Sequence, residues 1–215
     1  MAARTATKKT GANGKAEGDL KPIILKRLED VEMEITIQGL TPVIPHKWSE
    51  KAKRQMPGHP DRDTHTKKGA REPEAEAEGC VYRLDDGRPG MPATAFKSAI
   101  VSACRFFEDL PMVQAKLLFH VVGQGPEQLV PIKGNPVLHE DTPRNSSGTA
   151  DLRYRYYFED WSAVLKIRFT AARISPESIM ALVDAAGRVG VGDWRPGAPK
   201  SATGTFGTFR VANEI

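Results

Sequence analysis

Two amphipathic helices, each set between strand-like segments, constrain the fold of this 215-residue chain more than any other feature. The clearer one is "SPESIMALVDAAG". Ser175 suits the N-cap, Pro176 suits the first helical position, and Gly187 is placed to stop the helix. Ile179, Leu182, Val183 and Ala186 fall on one stripe of that helix. The other helix lies in "MPATAFKSAIVSACRFFEDLP", where Phe96, Ile100, Ala103, Cys104 and Phe107 recur at helical spacing. Pro92 stands near its first turn and Pro111 beyond its end.

Around these helices the period changes to two. "VEMEITIQGL" alternates Val31, Met33, Ile35 and Ile37 with polar residues, as a half-buried strand does. "AKLLFHVVG" reads as a buried strand. "EQLVPIKGNPVLHEDTPRNSSGTAD" reads as a short strand followed by a polar excursion. "LRYRYYFEDW" and "AVLKIRFTAA" read as two strands separated by a turn at Glu159 and Asp160, and "FGTFRV" as the last strand. With insertions set aside the order is βαββαβ. The expected class is therefore α+β, a modified ferredoxin-like (RRM-like) core with a long insertion after the first strand. Residues 1–27 read as a flexible basic tail and residues 28–215 as one domain, with the insertion at about 42–90. "CVYRL" and the turn "DDGRPG" mark the return from that insertion.

In such a core both helices pack on one face of the sheet and leave the other open. Alternation sets Arg153, Arg155, Lys166 and Arg168 opposite the apolar residues of their strands, so cations would line the open face. An ordinary solvated face suits the same four residues. Charge elsewhere is clustered too, although the net value is only +4. Residues 1–27 hold seven Lys/Arg against two acids, and residues 46–71 hold eight against three, with three histidines. Clustered cations in such segments favour a polyanionic partner. No apolar run reaches the roughly 20 residues of a membrane span. The basic N-terminus lacks the apolar segment of a secretory signal. Cys80 and Cys104 give neither a disulfide framework nor metal-ligand spacing, and a cytoplasmic location is expected.

The second helix is followed by "GRVGVGDWRPGAPKSATGTFGTFRV", with six glycines and two prolines among its 25 residues. Glycine allows positive φ and close approach of backbone amides to a phosphate. Arg188, Arg195, Lys200 and Arg210 supply charge, and Trp194 offers a stacking face. The stretch lacks the Gly-Lys-Ser/Thr of a phosphate-binding P-loop, and it follows a helix rather than a first strand, unlike a dinucleotide fingerprint.

A βαββαβ core with glycines Gly187, Gly190, Gly192, Gly204 and Gly207 leading into "GTFGTFRV" resembles the RAMP superfamily of CRISPR-associated proteins. It is most similar to the backbone subunits that polymerise along a guide RNA. "GMPATAFKSAIVSACR" resembles the loop-to-helix segment of these proteins, with Lys97 as its early cation and Arg105 at its end. The glycine segment departs from the family's pattern in being split by "DWRPGAPKSAT". The resemblance implies a non-catalytic subunit that coats single-stranded RNA or DNA. Its partners would be further copies of itself and other effector-complex subunits in antiviral defence. It also implies that the insertion, through His46, Lys47, Trp48, Lys51, Lys53 and Arg54, clamps the strand or touches a neighbouring copy.

Two alternatives stay open. One is a viral or mobile-element assembly protein whose tail and insertion serve subunit contacts. The other is a metal-dependent endoribonuclease of RAMP type using Asp61 or Asp63, which share a loop with His46, His59 and His65. No nucleophile elbow or zinc-protease motif is present, and nothing in the sequence calls for a cofactor or a structural metal. His120 reads as a core or sheet histidine and His139 as a lone loop residue.

Overall fold

A computed structural model describes residues 25–48, 53–54, 56–60, 71–142, 150, 152–199 and 202–212. Its centre is the 18-residue strand β6 (Arg153–Thr170). Strand β1 (Asp30–Gly39) runs antiparallel along one edge of β6, from Asp30↔Thr170 to Gln38↔Ser162. Strand β7 (Phe209–Val211) pairs antiparallel with the far side of β1. On the other edge of β6 lies β4 (Phe119–Val122), with Phe119 opposite Phe169. Helix α2 (Ala93–Ala103) connects β1 to β4 after the insertion, and helix α4 (Pro176–Val189) connects β6 to β7. Counted along the chain, the four core strands stand side by side in the order fourth, first, third, second. That is the split βαβ arrangement expected from the periodicity.

The alternation along β6 places Trp161, Leu165, Ile167 and Phe169 in the core. Ile35 and Ile37 of β1, Phe96 and Ile100 of α2, and Ile179 and Val183 of α4 close over them. Ser175 caps α4 by accepting the Ser178 N–H at 3.2 Å. The helix does not stop at Gly187. It runs to Val189 and ends at Gly190, whose φ of 74° only glycine adopts without strain. Gly187 serves another purpose: a Cβ there would strike the Phe209 carbonyl, so its absence lets α4 lie against β7.

Four boundaries differ from the sequence expectation. Helix α2 ends at Ala103 in a 3-10 turn (Cys104–Phe106), and Phe107 is extended and exposed instead of joining the apolar stripe. Pro111 starts a further helix, α3 (Met112–Leu118), so the run "AKLL" is helical and only Phe119–Val122 forms strand. Short apolar runs carry no period that separates the two states. Glu159 and Asp160 make no turn between separate strands; β6 is continuous, with a bulge opposite Gly134 where Asp160 takes φ 47°. The neighbouring β5 (Leu129–Asp141) is a long strand rather than a short one. β5 carries the sheet onward through β3 (Pro89–Pro92) to β2 (Tyr82–Arg83), which follows the short helix α1 (Pro73–Glu78).

Candidate nucleic-acid interface

The glycine-rich stretch is zipped to residues 40–44 just past β1. Leu40 N–H donates to the Thr208 carbonyl at 2.8 Å, Gly207 N–H to Pro42 at 2.8 Å, and Asp193 N–H to Ile44 at 2.9 Å. Phe206 N–H closes the loop on itself by donating to the Trp194 carbonyl at 3.0 Å. Backbone crosses backbone at these points, and that is where glycine is required. Gly207 has φ 68° and a Cβ on it would strike the Val191 carbonyl; Gly192 has φ 78° and a Cβ would stand 2.5 Å from the Ile44 oxygen. The expectation that Gly190 and Gly207 present amides to phosphate is therefore corrected. Their N–H groups are committed to the carbonyls of Ala186 and Pro42. The glycines make the loop compact.

This packing brings His46 onto Asp193, with Nδ1 at 2.8 Å from the carboxylate. Arg155 of β6 reaches the same carboxylate oxygen through Nη1. Its Nη2 stands 3.7 Å from Asp141, and Asp141 holds His139 Nε2 at 3.0 Å. The result is a chain of five alternating groups, His46–Asp193–Arg155–Asp141–His139. Arg155 is 2% exposed, so the expectation that it lines an open cationic face is corrected as well. A guanidinium so far from water must be neutralised by carboxylates, and the two aspartates do this. Burial opposes ionisation of Asp193, but hydrogen bonding and charge attraction from His46 and Arg155 outweigh it and hold the carboxyl below its ordinary value. The Asp141 oxygen facing Arg155 accepts no hydrogen bond, so attraction to the guanidinium is what steadies it.

Two tryptophans adjoin members of this cluster, one by ring contact and one in sequence. Trp48 meets the His46 ring edge-on at 6.0 Å between centroids. Trp194 directly follows Asp193 and takes φ 57°, a conformation held by the loop around it. Trp48 is 53% and Trp194 37% exposed. Thus the insertion and the glycine loop, far apart in sequence, form one surface. Arg195 belongs to the loop but donates to the Gly192 carbonyl at 2.9 Å. Lys47 stands 3.7 Å from Glu127 and 5.7 Å from the Tyr82 ring centre.

Other expected contacts are dispersed. Lys166 and Arg168 lie on the open face as anticipated, but Glu32 of β1 pairs with both, at 2.6 and 2.7 Å. Those two cations in turn hold the Glu32 carboxyl below its ordinary value, the hydrogen bond from Lys166 first. Lys97 lies 3.1 Å from His120 Nδ1 at the β4 edge, and burial lowers its pKa. His120 is an exposed sheet residue, and His139 sits in β5 against Tyr157 rather than alone in a loop. Arg54, Arg105, Arg188 and Arg210 are exposed, Arg153 is half-buried, and Lys53 lies beside Arg54 in a short helical turn. Lys51, Asp61, Asp63, His65, Lys200 and residues 1–24 lie outside the described residues. Among the described residues no three His, Cys, Asp or Glu side chains converge as a metal site, and no helix is long and apolar enough to cross a membrane. Sequence reading missed Asp141, His139 and Asp193. Asp193 alone left a signal, as the single acid among the cations of the glycine stretch.

No protein-family model and no curated protein sequence matches the chain. Among solved structures it is similar to Type III-B Cmr-beta bound to cognate target RNA, at a TM-score of 0.47 and 10% identity, over 86% of this chain and 59% of that one. It is also similar to Cmr6 from Pyrococcus furiosus, at a TM-score of 0.38 and 10% identity, over 86% of this chain and 100% of that one. The chain spans about three-fifths of the Cmr-beta chain it matches.

Proposed function

We infer that this protein binds single-stranded nucleic acid, RNA or DNA, as a non-catalytic subunit of a repeated, strand-coating assembly. The observation that supports this most is the joint surface of Trp48, His46, Asp193 and Trp194. Trp48 touches His46, Trp194 follows Asp193 in the chain, and the His46–Asp193 pair is anchored by a buried arginine. Indole faces stack on any base, which suits binding that is indifferent to sequence. Phosphates would be drawn by Lys47, Arg54, Arg188, Arg195 and Arg210 close by in the chain. Lys51, Lys53 and Lys200, neighbours of these in sequence, would add to them. Lys97, Arg105, Arg153, Lys166 and Arg168 would contribute more weakly or elsewhere. Glu32 already engages Lys166 and Arg168, which reduces what the open sheet face can offer.

The test is size exclusion of protein purified at low salt, with absorbance read at 260 and 280 nm. A large, nuclease-sensitive peak with a high ratio is expected, and sequencing of the bound strand would identify it. A clean protein peak that does not shift with added single strands would overturn the reading and favour a purely structural assembly protein.

A further inference from the structure

At its centre, the surface that would take the single strand carries the wrong charge for a polyanion. The ion chain sets the carboxylates of Asp193 and Asp141 against the guanidinium of Arg155, so with neutral imidazoles it is one positive charge short. Arg153, opposite Asp141 in the β5–β6 ladder, brings the sum only to zero. Arg155 itself, 2% exposed, lies too deep to meet a phosphate. The Asp193 side chain is 34% exposed, so its charge does face an incoming strand. Burial opposes that charge, but His46 and Arg155 outweigh burial and hold the carboxyl below its ordinary value, hence ionised near neutral pH.

The two ends of the ion chain are the groups able to reverse this. Histidine is the side chain whose charge ordinarily changes between pH 5 and 8. His46 Nδ1 stands 2.8 Å from Asp193, and His139 Nε2 stands 3.0 Å from Asp141. So close to a carboxylate oxygen each of these nitrogens carries a hydrogen, because two acceptors would repel. Arg155 Nη1, 3.4 Å from the same His46 Nδ1, is a donor and cannot receive that hydrogen. A further proton therefore goes to the other ring nitrogen, Nε2 of His46 and Nδ1 of His139, and leaves both carboxylate contacts in place. The two side chains are 30% and 35% exposed, so water reaches them.

Their other neighbours do not compete for the proton. Lys47 follows His46 in the chain, the Tyr82 hydroxyl donates to the His46 carbonyl at 3.4 Å, and the Cys80 carbonyl accepts the Lys47 N–H at 2.9 Å. Burial pushes the Tyr82 hydroxyl and the Cys80 thiol up, so neither ionises at neutral pH or below. His139 meets Tyr157 edge-on at 5.3 Å between centroids, with Arg155 opposite it in the ladder. Glu140 alternates to the opposite face of β5, across from Tyr154.

We propose that the single strand and protons bind this surface together: the polyanion drives proton uptake at His46 and His139, which turns the five-membered ion chain from one negative charge to as many as one positive. His46, in ring contact with Trp48, is the end that meets the strand. Coupling of this kind is reciprocal, so affinity rises as pH falls. It rests on the reading that the surface binds a single strand, and the experiment separates the two.

The experiment is fluorescence anisotropy of labelled oligo-U and oligo-dT, whose bases stay uncharged from pH 6 to 8, titrated with full-length protein across that range at fixed ionic strength. The wild type should bind about 5- to 150-fold more tightly at pH 6 than at pH 8, the usual range of coupling between two ligands. The double variant His46→Asn/His139→Gln keeps a donor where each ring nitrogen meets its carboxylate. It should lose the pH dependence, whatever its absolute affinity. Calorimetric titration of the wild type in two buffers of different ionisation enthalpy counts the protons directly and needs no variant; unequal heats that report net uptake are expected. Wild-type affinity that is flat with pH, equal heats in the two buffers, or a pH dependence that survives in the folded double variant would overturn the coupling and leave strand binding standing. No binding at any pH would instead overturn strand binding itself, and the coupling with it.

Discussion

Replacing Asp193 with Asn tests whether the interface is built on its buried arginine. The substitution keeps the size of the side chain and its capacity to accept from His46, but removes the charge facing Arg155. Among the described residues that guanidinium, 2% exposed, would keep Asp141 at 3.7 Å as its one carboxylate, with the His46 ring at 3.4 Å and a neutral amide in place of Asp193. Breaking one partner from a buried ion pair costs about 3–5 kcal/mol. Asp193 is itself 34% exposed at the side chain and Asp141 remains, so the lower end of that range or slightly less, about 2–3 kcal/mol, applies here. For a chain of this size that corresponds to a fall of roughly 5–10 °C in the thermal midpoint. Arg155→Met is the companion: it removes the buried charge and leaves each aspartate with its histidine, so it should cost less than Asp193→Asn. The pH dependence has a definite sign. Asp193 titrates below its ordinary value in the folded protein, so its contribution is complete above the unfolded value near ~3.9 and is lost as pH falls through the depressed one. The stability gap between wild type and Asp193→Asn should therefore narrow on acidification. Chemical denaturation of the three proteins across pH measures all of this. An Asp193→Asn variant within about 0.5 kcal/mol of wild type, the scatter of ordinary surface substitutions, would refute the reasoning.

Other expectations follow from single contacts. Gly207→Ala forces a side chain to φ 68° and against the Val191 carbonyl, so a loss of at least about 1–3 kcal/mol is expected in denaturant unfolding. Glu32→Gln removes the acid held between Lys166 and Arg168; if the open face touches the strand at all, low-salt affinity should rise, and unchanged affinity would confine binding to the loop surface. A protein with Asp61→Ala and Asp63→Ala should bind single strands as the wild type does. Magnesium- or manganese-dependent cleavage present in the wild type and lost in that variant would instead establish the ribonuclease alternative.

The strand–helix order was legible because β1 and the two core helices announce their own periods. β1 alternates cleanly, and α4 carries a serine cap, a first-turn proline and an apolar stripe. Where local signals conflicted the sequence misled. "AKLLFHVV" is apolar almost throughout, and only the geometry imposed by Pro111 and the pairing of Phe119 with Phe169 decides where helix gives way to strand. The glycines of the stretch after α4 have a packing reason that the sequence did not display. Positive φ was anticipated, and at Gly207 and Gly192 the missing Cβ makes room for the carbonyls of Val191 and Ile44. His46 and Arg155 were candidates and Asp193 left a faint signal, but their meeting in one ion cluster could not be read. His46, Asp141, Arg155 and Asp193 sit on four separate segments, and whether Arg155 faces water depends on what later covers its strand. Alternation reports the face of a strand and says nothing about its cover.

The most direct test of the central claim is fluorescence anisotropy of a labelled single strand of about 20 nucleotides, titrated with wild type, Trp48→Ala and Trp194→Ala at several salt concentrations. Log affinity of the wild type should fall linearly with log salt, with a slope near ~−0.7 for each phosphate engaged. Each tryptophan variant should bind about 5- to 150-fold more weakly at unchanged slope, as expected for about 1–3 kcal/mol of lost stacking. Absence of binding at low salt, or full affinity in both tryptophan variants, would contradict the account.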